Sequence, residues 1–220
     1  MISFPQSPLS LWLAEYGPYK EEPPLEGDIH VDVAIIGGGF TGIATAHTLK
    51  KEQPALSVAV LEHETVGYGA SGRNGGFAMT VVGLGFSATA MLKGKQFVRD
   101  AHAYMERAVD GLEELIRSNA LQCDYIRPGF LRVATSPSFV KKLRRELDLI
   151  HKLGIGGFEW LDRDAAREKV NSELYLGAMW EPRLGLLNPA MLVREEKRLA
   201  LERGALVYER TPVLEIRRGK

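Results

Sequence analysis

Residues 31–42, Val-Asp-Val-Ala-Ile-Ile-Gly-Gly-Gly-Phe-Thr-Gly, constrain the fold of this chain more than any other stretch. A β-rich apolar run, Val33-Ala-Ile-Ile, ends on a glycine cluster, and a helical pattern begins at Phe40. Gly37, Gly39 and Gly42 are spaced G-x-G-x-x-G. In a dinucleotide site the first glycine permits a tight strand-to-helix turn, the second lets the backbone approach a pyrophosphate, and the third lets the helix pack on the strand. The phosphates then meet N–H groups at the positive end of that helix. The spacing carries weight only in the order strand, turn, helix, strand, acid. That order is present. Ile43, Ala46 and Leu49 recur at helical spacing over residues 40–51, Ser57-Val-Ala-Val-Leu reads as a second strand, and Glu62 closes it 20 residues after Gly42. A carboxylate at that place can accept from both ribose hydroxyls, and it repels a 2′-phosphate.

Bulk properties exclude several classes. Lys+Arg and Asp+Glu are both 28, so no net field draws the chain to nucleic acid or anionic lipid. With 45% hydrophobic and 25% charged residues, 220 residues can bury a core as one large domain or two small ones. The apolar stretch 33–49 is too short and too glycine-rich for a membrane span. Cys123 is the one cysteine, which excludes an internal disulfide and fits a reducing compartment. The first residues lack the basic and continuous apolar regions of a signal peptide. These features predict a soluble, cytoplasmic protein.

Residues 1–30 are a proline-rich arm with one short helix over 9–16, in which Trp12 and Tyr16 stand a turn apart; they have two readings, pins that hold the arm to the body or a contact for a partner. After Glu62 and His63 come five glycines between Gly67 and Gly76, which predict irregular backbone wrapped around a ligand. Residues 95–119 form the longest helix, with Phe97, Ala101, Tyr104, Ala108, Leu112, Leu115 and Ile116 as its core stripe. Strands are predicted at 122–127 and 129–135. A helix capped by Ser136 runs to 153, and its Lys141-Lys-Leu-Arg-Arg run reads as the solvated face of an amphipathic element. A strand at 158–161, a helix over 163–170 capped by Asp162, a strand at 174–180 and a helix over 189–203 stopped by Gly204 follow. Residues 205–209 read as a buried strand, and one more begins at Thr211. His47, His102 and His151 lie on helices without ligand spacing, so no metal site is expected, and Cys123 reads as a structural thiol. Arg73 has two readings, a substrate contact or a brace of the glycine loop.

The third Rossmann-like strand, 205–209, comes only after a long mixed insertion. That order argues against an NAD-dependent dehydrogenase, whose first half is usually uninterrupted. Gly37-Gly-Gly-Phe-Thr-Gly, Val60-Leu-Glu and Gly69-Ala-Ser-Gly-Arg-Asn-Gly-Gly together resemble the FAD-dependent oxidoreductases of the D-amino acid oxidase and glycine oxidase superfamily, and most the branch of γ-glutamylputrescine oxidases. The likeness covers nearly the whole chain, including Glu159-Trp-Leu-Asp and Leu187-Asn-Pro-Ala. It implies an α/β fold, a Rossmann-like FAD-binding βαβ unit with an inserted, incomplete α+β substrate domain. The expected division is an arm at 1–30, the FAD-binding unit with glycine loop and long helix at 31–120, part of the substrate domain at 121–188, and a return to the FAD-binding domain at 189–220.

Carried over by residue, the resemblance places Phe40 and Thr41 beside the pyrophosphate and Glu62 on the adenosine ribose with His63 next to it. Gly69, Ala70 and Ser71 follow the phosphates. Arg73 belongs to the same run, and Asn74, Gly75 and Gly76 approach the isoalloxazine. Val213 touches the adenine through its backbone. The implied reaction oxidises the C–N bond of an amine or amino acid, with O2 as electron acceptor and hydrogen peroxide as product. Because the cofactor carries the chemistry, no side-chain acid or base is assigned. The family continues past 213–216 with further strands and a second glycine-rich segment, so the resemblance implies roughly the first half of such an enzyme. Two readings follow: a truncated amine oxidoreductase, or a nucleotide-binding module completed by a second chain.

Overall fold

A computed structural model describes residues 10–80 and 83–218. Leu9, the first residue of the predicted arm helix, lies outside them. The chain divides into two compact units. The first comprises the residues up to Gly76, Ala120–Asp124 and those from Leu187 on; the second comprises Phe77–Asn119 and Tyr125–Leu186.

In the first unit the arm carries helix α1 (Leu11–Glu15), whose cap Ser10 accepts from the Leu13 amide. Strand β1 (Val33–Ile36), helix α2 (Phe40–Glu52) and strand β2 (Val58–Leu61) then follow as the sequence predicts. The chain returns at helix α7 (Pro189–Glu202), where Asn188 caps by accepting from the Ala190 and Met191 amides, and at strand β8 (Leu206–Tyr208). The sheet is parallel with order β1-β2-β8. Val58, Ala59 and Val60 of β2 are fully buried, as expected of a central parallel strand covered on both faces. Ile43 and Ala46 of α2 and Val193 and Ala200 of α7 close over Val60 and Val207. Each large aliphatic side chain in this cluster contributes about 1.5–3 kcal/mol by burial.

The second unit is antiparallel. Strands β4 (Phe130–Ala134), β5 (Glu159–Leu161) and β6 (Gly177–Glu181) form a sheet of order β4-β6-β5. A two-stranded pair joins β3 (Phe77–Ala78) to β7 (Gly185–Leu186). Helices α3 (Phe86–Lys93), α4 (Lys95–Ser118), α5 (Pro137–Lys152) and α6 (Arg163–Lys169) accompany them. Ser136 and Asp162 cap α5 and α6 as predicted, accepting from the amides of Phe139 and Ala165. The core here is Phe86, Val98, Leu147, Ile150, Leu153, Ile155, Phe158 and Met179. Buried Glu146 is forked by Arg132 at 2.8 and 3.1 Å. No helix among the described residues is long and apolar enough to cross a membrane.

Three expectations change. The buried stripe of α4 is Val98, His102, Val109 and Ile116, while Phe97 and Tyr104 are 44% and 64% exposed. Apolar residues occupy two adjacent stripes of this helix, and spacing cannot rank them. The His102 ring wins a core place because it packs within 5.6 and 5.7 Å of the Phe86 and Phe158 rings. The strand expected at 122–127 reduces to a single bridge between Ile126 and Leu186, because Asp124 adopts φ +52° and breaks the extended run. No strand starts at Thr211 in the described residues: Pro212 lacks an N–H, and the segment has no ladder partner.

One buried group makes stability depend on pH. Glu196 of α7 is 6% exposed, and its Oε2 has no hydrogen-bond partner. Loss of hydration pushes its carboxyl up from 4.5 to about 7. A carboxyl that titrates higher in the folded state costs nothing below its unfolded value and destabilises progressively as pH rises through the folded one. Glu196→Gln should therefore be about 3 kcal/mol more stable than the parent at pH 8, with the gap closing near pH 4.5. Urea melts at the two pH values measure this; equal stabilities at pH 8 would disprove the isolated carboxyl.

Candidate nucleotide site

The site is built at the carboxyl ends of β1 and β2. Gly37 turns the chain out of β1 with φ +98°, and its amide continues the ladder by donating to Leu61 O at 2.9 Å. Gly42 then seats on Gly37: a Cβ on Gly42 would lie 1.9 Å from the Gly37 carbonyl oxygen. Helix α2 begins at Phe40 with Gly39 as its cap, no capping side chain of Gly39's own and no acid in its first turn. Its positive end is thus free of the carboxylate that would compete with a phosphate.

Two side chains from later in the chain meet this turn. Glu62 accepts from the Gly38 amide with Oε2 at 2.5 Å and from the Glu64 amide with Oε1 at 2.8 Å. A carboxylate has about four lone-pair sites, so two remain for hydroxyl donors. The Ser71 hydroxyl accepts from the Phe40 amide at 2.9 Å and sits 2.9 Å from where a Gly39 Cβ would be. The Gly67 amide donates to Gly38 O at 3.1 Å. The bare backbone at 37–42 and the glycine loop therefore face each other across short hydrogen bonds.

The loop is ordered from within. One short 3-10 turn spans Ala70–Gly72, flanked by Gly69. The Asn74 amide donates to the carbonyls of Ala70 and Ser71 at 3.2 and 3.0 Å, and its oxygen accepts from the Gly76 amide at 2.8 Å. Gly75 lies exposed between them. Arg73 donates to Tyr68 O at 2.6 Å and stacks 4.6 Å from the Tyr68 ring, which is the loop-bracing reading. Thr41 is exposed on the first turn of α2. His63 points outward, 68% exposed and 3.4 Å from Glu64. At the third strand, the Glu62 amide donates to Tyr208 O and the Thr211 amide to Glu62 O, at 2.9 and 2.8 Å. This brings residues 211–213 beside Glu62, with Val213 half-buried.

The other tempting residues take structural places. His47 is buried against α2's neighbours, and burial lowers its pKa. His151 Nε2 lies 3.1 Å from Phe158 O, and Cys123 is buried. No three His, Cys, Asp or Glu among the described residues are grouped to hold a metal. Sequence reasoning missed Gly38, whose amide engages Glu62, and Glu209, whose fully buried carboxylate accepts from the Val66 amide. An acid placed directly after a buried strand is the signal that marks Glu209.

Residues 32–220 match the model of the DAO family, described as FAD dependent oxidoreductase. The chain belongs to that family. It is 30% identical over 207 residues to γ-glutamylputrescine oxidoreductase of Escherichia coli K12, covering 94% of this chain and 48% of that protein. It is 29% identical over 189 residues to glycine oxidase of Geobacillus kaustophilus, covering 84% and 48%. The crystal structure of glycine oxidase from Geobacillus kaustophilus superposes with a TM-score of 0.69 at 28% identity, over 85% of this chain and 48% of that one. The chain thus spans about half the length of the curated relatives it matches. The α/β fold is therefore that of an FAD-dependent family, and the NAD-dependent dehydrogenase alternative falls.

The close approach at Gly42 is testable without any ligand. Gly42→Ala should destabilise the protein by about 2–3 kcal/mol by overpacking against the Gly37 carbonyl. Gly69→Ala, which meets nothing within 4 Å, should change stability by no more than about 0.5 kcal/mol. Urea midpoints of the two variants make the comparison.

Proposed function

We propose that this chain binds FAD with residues 37–42, 62–76 and 211–213, as the cofactor-anchoring part of an enzyme that oxidises the C–N bond of an amine or amino acid. One observation carries the reading. An α2 N-terminus without an acid, the Glu62 carboxylate and the Ser71 hydroxyl lie on one rim, joined through the amides of Gly38 and Phe40. When bound, FAD supplies the two-electron acceptor for the C–N bond and passes the electrons to O2, giving hydrogen peroxide.

The protein's own part is binding and orientation. Backbone at Gly39, Phe40 and Thr41 meets the pyrophosphate at the positive end of α2. Glu62 receives the ribose hydroxyls on its remaining lone pairs. Gly69, Ala70 and Ser71 follow the phosphates. Asn74, Gly75 and Gly76 flank the isoalloxazine, with Asn74 holding the turn and leaving backbone to face the ring. Val213 borders the adenine. Relatives named for γ-glutamylputrescine and glycine support a small amine or amino acid as the substrate class. The matched region is about half of each of those proteins, and the C–N chemistry is proposed for an assembly that also supplies what the other half supplies in them. A second chain carrying the remainder is the alternative arrangement. The single cysteine supports a cytoplasmic location.

Titration of the purified chain with FAD, read by flavin fluorescence and visible absorbance, tests the proposal. FAD should bind, NADP+ should not compete, and Glu62→Ala should weaken FAD by about tenfold or more through lost charge-assisted hydrogen bonds. Binding of NAD+ with no uptake of FAD would overturn it.

A further inference from the structure

The arm preceding β1 reaches the rim of this site at several separate points, all within the first unit. The Ser10 hydroxyl donates to Gly72 O at 2.5 Å, and the Trp12 indole N–H donates to Asn74 O at 2.8 Å. Leu13 is buried beneath the same turn, with Cδ2 3.5 Å from where a Gly72 Cβ would stand. Further along, the Tyr19 hydroxyl donates to Glu209 Oε1 at 2.7 Å and the Glu22 amide to Oε2 at 2.6 Å. The Leu25 amide donates to Thr211 Oγ1 at 3.0 Å. Glu209 is fully buried, and the oxygen that takes the Tyr19 hydroxyl also takes the Val66 amide, at the start of the glycine loop. Lys197 supports the junction, donating to the Tyr19 hydroxyl at 2.8 Å and standing 3.2 Å from Glu22 and 3.5 Å from Glu209. Arg194 stacks on the rings of Tyr16 and Tyr19 at 4.3 and 3.7 Å.

We propose that residues 10–25 are a clasp that fixes the glycine loop in its ligand-ready shape, with Glu209 as the positioning residue that connects Tyr19 to the Val66 amide. The clasp grips the loop at both ends: Val66 through Glu209, and Gly72 and Asn74 through Ser10 and Trp12. It also holds Thr211, on the far side of Glu62. Asn74 shows why this matters. Its carbonyl is held by Trp12, while its side chain folds the turn that ends at Gly76. Burial and the neighbouring Glu209 carboxylate hold the Tyr19 phenol in its protonated, donating form. The consequence for the cofactor rests on the FAD reading above; the consequence for the loop does not.

The test uses the full chain and two conservative variants. Tyr19→Phe keeps the ring on Arg194 and deletes only the hydroxyl. Trp12→Phe deletes the indole donor and trims the ring at a half-buried position, and the exchange rate of β6 peptides reports whether the fold itself is kept. Hydrogen exchange is measured first on FAD-free protein. Peptides covering 63–76 should exchange about tenfold faster in each variant than in the parent, while those covering β6 keep their rate. The FAD dissociation constant should rise by about tenfold in each. Unchanged exchange at 63–76 in both variants overturns the clasp, whatever FAD does. Faster exchange with an unchanged dissociation constant overturns its role in cofactor binding. A parent protein that takes up no FAD sinks the cofactor reading alone, and exchange then still decides the clasp.

Discussion

The rest of the site depends on the seat of Gly42 on the Gly37 carbonyl, where no side-chain carbon fits. That contact sets the angle at which α2 leaves β1 and so aims the positive end of the helix past the carboxyl end of the sheet. The parallel register, with Ile36 opposite Leu61, then delivers Glu62 to the height of Gly38. The Gly37 amide, donating to Leu61 O, holds the two strand ends in that register, and the Gly38 amide then meets the Glu62 carboxylate across 24 residues of sequence.

The third strand adds a longer-range condition. β8 pairs with β2 through Ala59–Leu206, Val60–Val207 and Leu61–Tyr208, after the whole second unit has intervened in the chain. The entropic cost of closing a loop grows only as the logarithm of its length, so an insertion of this size is tolerated if its ends are already neighbours. Here the ends are tied by short bonds: Leu187 donates to Gly76 O at 3.0 Å, and Asn188 to Cys123 O at 2.8 Å. The first unit can thus keep a continuous core of α2, α7 and the sheet although its residues come from three stretches of sequence.

Much of this was legible beforehand, and the reasons are physical. β1, α2, β2 and β8 are encoded by apolar runs with glycine boundaries, and the caps of α5 and α6 by side chains that satisfy local amides. The glycine spacing and Glu62 predict the tight strand-to-helix turn and the carboxylate beside it because backbone geometry demands those residues. What escaped depends on tertiary choices. The exposed faces of Phe97 and Tyr104 follow from which of two apolar stripes found a neighbour. The short β3–β7 pair has too few residues to show an alternation. The partner of Ser71 is an amide 31 residues away, and nothing in either segment alone announces it.

The two buried carboxylates around α7 show what decides whether an acid suits a core. Glu209 and Glu196 are 0% and 6% exposed, so burial does not separate them. Glu209 is met by Tyr19, the Val66 and Glu22 amides, and Lys197, and both of its oxygens have donors. Glu196 leaves Oε2 without one and is pushed toward its neutral form. A buried acceptor with several donors rigidifies its surroundings, and the same acceptor without them is a net cost. Of the four donors to Glu209, two come from the arm, one from the glycine loop and one from α7. Without the arm, Glu209 would keep its burial and lose half of its donors. The arm is thus part of what makes an acid tolerable at the end of β8, and it shares that acid with the Val66 amide of the glycine loop.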